Sequence, residues 1–185
     1  MQNKNDYITM LGTGNALATR CYNTCFTLHG EKGVLLVDAG GGNGILTQLE
    51  KAGIRREDIS DLFVTHAHTD HLLGCVWIMR MALQFNYTLR VWSHKKVLQL
   101  LTDICSQILP HKEAEGIGSL VTMNCLSDGE QFEAGGSPCN ASTSIPLRKD
   151  NSASRHCCPM ANGSAVWAMS LSVHSASNMP RVPTG

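Results

Sequence analysis

Apolar residues fall in short, punctuated clusters through the first 136 positions, and each cluster predicts an element. Tyr7–Leu11 predicts a first strand, closed by Gly12-Thr13-Gly14. Cys25–Leu28 and Val34–Val37 flank Gly30-Glu31-Lys32-Gly33 and predict a hairpin. Asn43 is placed to cap a helix running to about Ala52, with Gly53 as its stop. Asp61–Val64 has the length and apolarity of a buried strand, and Leu72–Leu83 those of a largely buried helix. Leu89–Trp92 predicts another strand. Ser93 is placed to cap a helix with Val97, Leu100, Leu101, Ile104 and Ile108 on one face, ended by Pro110. Leu120–Met123 and Gln131–Phe132 are shorter strand candidates. Strands that first form a hairpin and then alternate with helices predict a layered α/β domain.

Beyond Gly136 this patterning stops. From Ser137 onward the chain holds five of its six prolines, ten serines and one acid, Asp150, of a total of fifteen. The expectation is a domain over residues 1–136 and an irregular, low-order tail over 137–185.

Composition narrows the class. A chain of 185 residues is the size of one domain, and 43% hydrophobic with 16% charged residues supports a real core. Fifteen basic and fifteen acidic residues balance, which argues against holding nucleic acid by bulk charge. No stretch approaches the roughly 18 apolar residues of a membrane span. The start, MQNKNDYITM, lacks the basic-then-apolar order of a secretion signal. Eight scattered cysteines do not form a small disulfide framework, so reduced thiols and a cytoplasmic location are expected.

The densest chemistry lies in Phe63-Val64-Thr65-His66-Ala67-His68-Thr69-Asp70-His71. An apolar strand runs straight into three histidines and an aspartate. His66 and His68, two apart, share a side in extended backbone, and a turn after Thr69 would return Asp70 and His71 toward them. Imidazole and carboxylate suit zinc, and also manganese or iron. Four candidate ligands exceed what one half-open ion requires, so two neighbouring ions sharing a water fit better. Such an ion brings the pKa of its water to about 7. Asp38 ends the apolar run Val34–Val37 and precedes Ala39-Gly40-Gly41-Gly42-Asn43-Gly44. A carboxylate there can brace the metal loop by hydrogen bonds; its plainer role is a turn residue or helix cap.

A strand-Asp-Gly-rich loop followed by His-x-His-x-Asp-His resembles the metallo-β-lactamase fold superfamily. Leu11-Gly12-Thr13-Gly14-Asn15-Ala16 and Asn23-Thr24-Cys25-Phe26 resemble its ribonuclease Z-like branch. The resemblance covers about residues 6–133 and implies the N-terminal half of an αββα sandwich. It implies that His66 and His68 bind a first metal, zinc by expectation, and that Asp70 and His71 bind a second. It further implies that Asp70 handles a proton and that Asp38 is a structural acid. The reaction implied is hydrolysis of an ester by metal-activated water, with a phosphodiester favoured. The substrate would be a small phosphodiester or RNA, such as the 3′ trailer of a transfer RNA precursor. Other ester, thioester or lactone hydrolysis and an inactive truncated product are the alternatives, and a homodimer is left open.

Other features have plainer readings. Gly12-Thr13-Gly14 lacks the Lys-Ser/Thr or third glycine of a phosphate loop and reads as a tight turn. Cys21 and Cys25 have no second pair and read as packing. His29, His94, His111, His156 and His174 are isolated. Arg20, Arg55-Arg56 and Lys95-Lys96 read as solvated charge.

The resemblance also requires a further His, a metal-bridging Asp and a closing His from the second half of the fold. The surroundings of His156 and His174 do not supply them. Joining each codon's third base to the next codon's first two, from Ser137 onward, permitted codons spell FDIHS and GDEP, which look like the next His motif and the bridging-Asp motif. Trp167 and Met169 have single codons, which fixes the leading bases of the shifted Gly and Glu codons. The expectation is a change of reading frame at about residues 133–137.

Overall fold

The computed structural model describes residues 7–142 and 168–171. Its main sheet has six strands in the order β1-β2-β3-β4-β5-β6. β1 (Tyr7–Gly12), β2 (Cys25–His29) and β3 (Val34–Val37) run antiparallel. β4 (Ile59–Phe63), β5 (Leu89–Ser93) and β6 (Val121–Cys125) then add in parallel. Parallel neighbours need crossovers, and these are helical. α1 (Gly44–Lys51) joins β3 to β4, α2 (Thr69–Phe85) joins β4 to β5, and α3 (Lys95–Ile108) with α4 (His111–Ala114) joins β5 to β6. The helices cover one face, where Leu36, Leu62, Val64 and Val91 meet Ile45, Leu72, Ile78, Met79 and Leu101. α2 is buried around most of its circumference because it packs against α1, α3 and α4 as well as lying on the sheet.

A second sheet of β7 (Gln131–Ala134), β8 (Ser137–Ser142) and β9 (Ala168–Leu171) lies against the other face. Phe132 provides the contact, its ring 5.8 Å from Phe63 and 4.9 Å from Trp92. Asp61, fully buried between the layers, latches them together. Its carboxylate accepts from Trp92 Nε1 (2.7 Å), from the Arg90 guanidinium (2.8 Å) and from the backbone N–H of Gly135 (2.9 Å). Paired and hydrogen-bonded in this way, the buried charge is tolerated.

Several elements differ from the sequence expectation. α2 begins at Thr69, so Asp70 and His71 sit on a helical first turn rather than on a turn ahead of a helix starting near Leu72. His94, not Ser93, caps α3: its ring accepts from the Lys96 N–H, while Ser93 ends β5 and its hydroxyl donates to the Val64 carbonyl. Asn43 precedes α1 but makes no side-chain cap. β8 lies beyond the domain boundary expected at Gly136 and buries Cys139 and Ala141 against the main sheet. Its apolar alternation is only two small residues long, too brief to register as a period. On the same face, Ile8 and Met10 pair in register with Leu28 and Phe26, yet remain 56% and 53% exposed. The three-stranded sheet leaves this β1 side of the main sheet open.

Candidate metal centre

The candidate residues gather where β3 and β4 end, at the carboxyl edge of the parallel strands. Crevices there are common ligand sites in α/β sheets. Asp38 follows β3 with φ of +54°, a left-handed conformation that a short polar side chain tolerates through local hydrogen bonds. Its Oδ1 accepts from the Thr65 N–H (2.8 Å), and its Oδ2 accepts from the Thr65 hydroxyl and from His71 Nδ1 (both 2.7 Å). Thr65 Oγ1 also lies 2.8 Å from His66 Nδ1. Since its single proton goes to Asp38, the threonine accepts from His66 Nδ1–H. Asp38 therefore orients two imidazoles, His71 directly and His66 through Thr65. In both rings the Nε2 lone pair is left facing outward.

Those lone pairs meet the other candidates. His66 Nε2 lies 3.1 Å from His68 Nδ1, and His71 Nε2 lies 3.4 Å from Asp70 Oδ2. Two ligands on one tetrahedral zinc, at its usual bond lengths, stand about 3.3 Å apart. Both pairs thus have the spacing of atoms that share an ion, and the hard-to-borderline N/O donor set matches zinc, manganese or iron. The His66 and His71 rings are 4.2 Å apart, which makes the two pairs neighbours. Asp38, His66 and His71 also form a compact group whose ligand atoms all lie within 4.8 Å of one another.

Burial grades across the cluster. Asp38 and His66 are buried, Asp70 and His71 half-buried, and His68 exposed. Burial, reinforced by the neighbouring His71, pushes the His66 pKa below its ordinary value and keeps the ring neutral, the form that ligates. Burial acts the same way on His71, but the Asp38 hydrogen bond and charge, with Asp70 adding, outweigh it and raise the pKa. Burial lifts the Cys25 thiol to about 12, with the Asp38 charge contributing, and lifts fully buried Cys75 well above its usual value. Both thiols remain protonated packing groups.

The structure brings His66, His68, Asp70, His71 and Asp38 together. The remaining described histidines have other work: His29 bonds Thr9 and Thr27 and stacks on Tyr7, His94 caps α3, and His111 pairs with Glu115. His156 and His174 lie outside the described residues. Two contributors were not evident from sequence. Thr65 precedes the first histidine, but its relay role depends on Asp38 lying alongside. Tyr22 stands in a polar loop far from the motif, yet its hydroxyl lies 2.9 Å from both the Ala39 and Gly42 carbonyls. The Gly12-Thr13-Gly14 segment is a tight crossing, since a Cβ at Gly12 would lie 2.2 Å from the Asn23 carbonyl oxygen. α2 comes equally close to the Asp38 loop: a Cβ at Gly74 would lie 1.7 Å from the Ala39 oxygen.

Among curated proteins the chain is 38% identical over 68 residues to ribonuclease Z of Methanosarcina acetivorans, 36% of this chain and 22% of that protein. It is 29% identical over 94 residues to ribonuclease Z of Thermococcus kodakarensis, 50% of this chain and 27% of that one. The matched segments therefore span about a quarter of those relatives. Among solved structures, the metallo-β-lactamase fold protein YhfI of Bacillus subtilis aligns with a TM-score of 0.58 at 18% identity, covering 88% of this chain and 56% of that one. Human tRNase Z, short form, aligns with a TM-score of 0.54 at 19% identity, covering 73% and 57%. A diphosphatase of the PhnP family aligns with a TM-score of 0.57 at 16% identity, covering 72% and 55%. The fold is the metallo-β-lactamase fold in part, and the relationship is to its ribonuclease Z-like members. The model of one family, that of the anti-Pycsar protein Apyc1, matches residues 7–157, more than half of the sequence, and to that family the chain belongs.

Proposed function

We propose that this chain carries the metal-binding half of a metal-dependent hydrolase that cleaves phosphodiesters. The observation that carries the reading is the pair of ligand spacings, 3.1 Å for His66 and His68 and 3.4 Å for Asp70 and His71, behind one orienting carboxylate. In this reading His66 and His68 hold one ion and Asp70 and His71 the other, with zinc the metal best suited to the donors. The ions, when bound, supply Lewis acidity and a water acidic enough to ionise near neutral pH. The chain's own residues do the rest. Asp38 fixes both imidazole tautomers, and the Asp70 carboxylate, on the first turn of α2, holds or accepts a proton from the attacking water.

Relatives described as ribonuclease Z, tRNase Z and a diphosphatase support phosphorus–oxygen chemistry over other ester hydrolysis. The substrate is a small phosphodiester or RNA.

The test is metal content per chain together with turnover of a bis-aryl phosphodiester and of a thioester by the zinc-loaded protein. Two zinc ions and phosphodiester cleavage support the reading. Preference for the thioester moves the chain to another hydrolase class. One weakly held ion without turnover identifies a partial site. The nucleotide sequence across codons 133–137 decides separately whether the natural reading frame continues into the FDIHS and GDEP motifs.

A further inference from the structure

We propose that Tyr22 is a positioning residue for the metal site, holding the Asp38 loop against the first turn of α2. The inference rests on the reading of Asp38 and His66–His71 as a metal centre. The loop from Asp38 to Gly42 is gripped from two sides. On one side α2 binds it through backbone, with Ala39 N–H donating to the His71 carbonyl (3.1 Å) and Gly74 N–H to the Gly40 carbonyl (2.8 Å). On the other side the Tyr22 hydroxyl shares its proton between the Ala39 and Gly42 carbonyls. The Tyr22 ring lies flush against the loop, where a Cβ at Gly40 would come within 2.5 Å and one at Gly44 within 2.7 Å of ring carbons. Asn23 adds a third hold, its Oδ1 accepting from the Gly41 N–H at 3.1 Å.

The grip is placed where it matters for ligand geometry. Ala39 is the residue after Asp38, and Asp38 occupies a left-handed conformation that its surroundings must maintain. Ala39 is bonded at its oxygen to Tyr22 and at its nitrogen to the ligand-bearing turn of α2. A shift of this one residue moves the peptides on both its sides, and with them the carboxylate that orients His71 and the backbone contact to His71 itself. Partners of this kind, one step removed from the ligands, typically change metal affinity by about ten- to a hundredfold when lost. Burial lifts the Tyr22 pKa to about 12, so the hydroxyl remains a donor through the neutral range.

The test uses the full 185-residue chain and Y22F, which keeps the ring and removes only the hydroxyl. Tyr87 supplies the control, because its buried hydroxyl has no partner among the described residues and Y87F removes no such contact. Zinc affinity is measured by chelator competition, the cobalt(II) absorption spectrum reports ligand geometry, and amide exchange is followed at Ala39 and Gly74 in the metal-free chain. We expect Y22F to weaken zinc binding about tenfold, to alter the cobalt band, and to speed exchange at both amides about fivefold. Y87F is expected to leave all three at the wild-type values. Wild-type exchange and affinity in Y22F would overturn the proposal. Faster exchange with unchanged affinity and spectrum would overturn it as well, since Tyr22 would then hold a loop without positioning ligands. If the wild-type chain takes up no zinc while Y22F still loosens both amides, the grip on the loop stands and the metal reading falls.

Discussion

The two faces of the main sheet are built to different standards. On the helix face, long aliphatic side chains from five strands and three helices interlock, and Ile45, Leu62, Met79 and Leu101 are essentially inaccessible. On the opposite face, a small sheet rests on Phe132 and on alanine and cysteine side chains, and Ile8 and Met10 stay open to solvent. All the candidate ligands belong to the first layer: Asp38 closes β3, His66 and His68 follow β4, and Asp70 and His71 open α2. Placement of the candidate metal site thus goes with the well-packed face, and the comparison predicts that it is separable from completion of the second. The second sheet, by contrast, contributes stability and closure.

The sharpest test of that separation is ligand removal. His68→Ala or Asp70→Ala should strip most of the bound metal while leaving the melting transition of the metal-free chain in place, checked by metal analysis and calorimetry. Next in size, Phe132→Ala should cost about 3–5 kcal/mol of stability in urea titrations, because it empties the main contact between the layers. Its metal affinity should match wild type, and a large loss of affinity there would break the comparison. Asp38→Asn should reduce metal affinity about ten- to a hundredfold. Asparagine accommodates the left-handed backbone, so the loss would report the carboxylate rather than a distorted turn.

The smallest effect is a pH dependence. The His71 pKa is raised above its ordinary 6.5 in the folded chain. Its contribution to stability is therefore complete below pH 6.5 and is lost as pH rises through the raised value. In the metal-free state, the stability gap between wild type and His71→Asn should be widest below pH 6.5 and should narrow as pH rises, read by urea titration at several pH values.

The hairpin, the parallel strands and the His-x-His-x-Asp-His cluster were legible in sequence because each rests on local pattern. Phe63-Val64 ends a short apolar run, and the candidate ligands follow it from His66 onward, one residue later. Contacts between distant segments were not legible. Nothing near Tyr22 in the chain indicates that its hydroxyl reaches residues 17 and 20 positions away. The apolar pattern marks the start of α2 too late because its first turn is polar, made of candidate ligands rather than core. Ser93 has the better capping propensity, but it is the last residue of β5 and the helix starts at Lys95, which leaves the cap position to His94. β8 was missed because Cys139 and Ala141 are too small and too few to mark an apolar face.

The bare backbone at Gly74 gives a way to disturb the candidate site without touching any residue that would grip an ion. Adding one methyl group there drives a wedge between α2 and the Ala39 carbonyl, and because the obstacle is main chain it cannot swing aside. Gly74→Ala would then act by leverage: all five polar side chains remain, yet the seat between helix and loop that sets their mutual reach has been pried open.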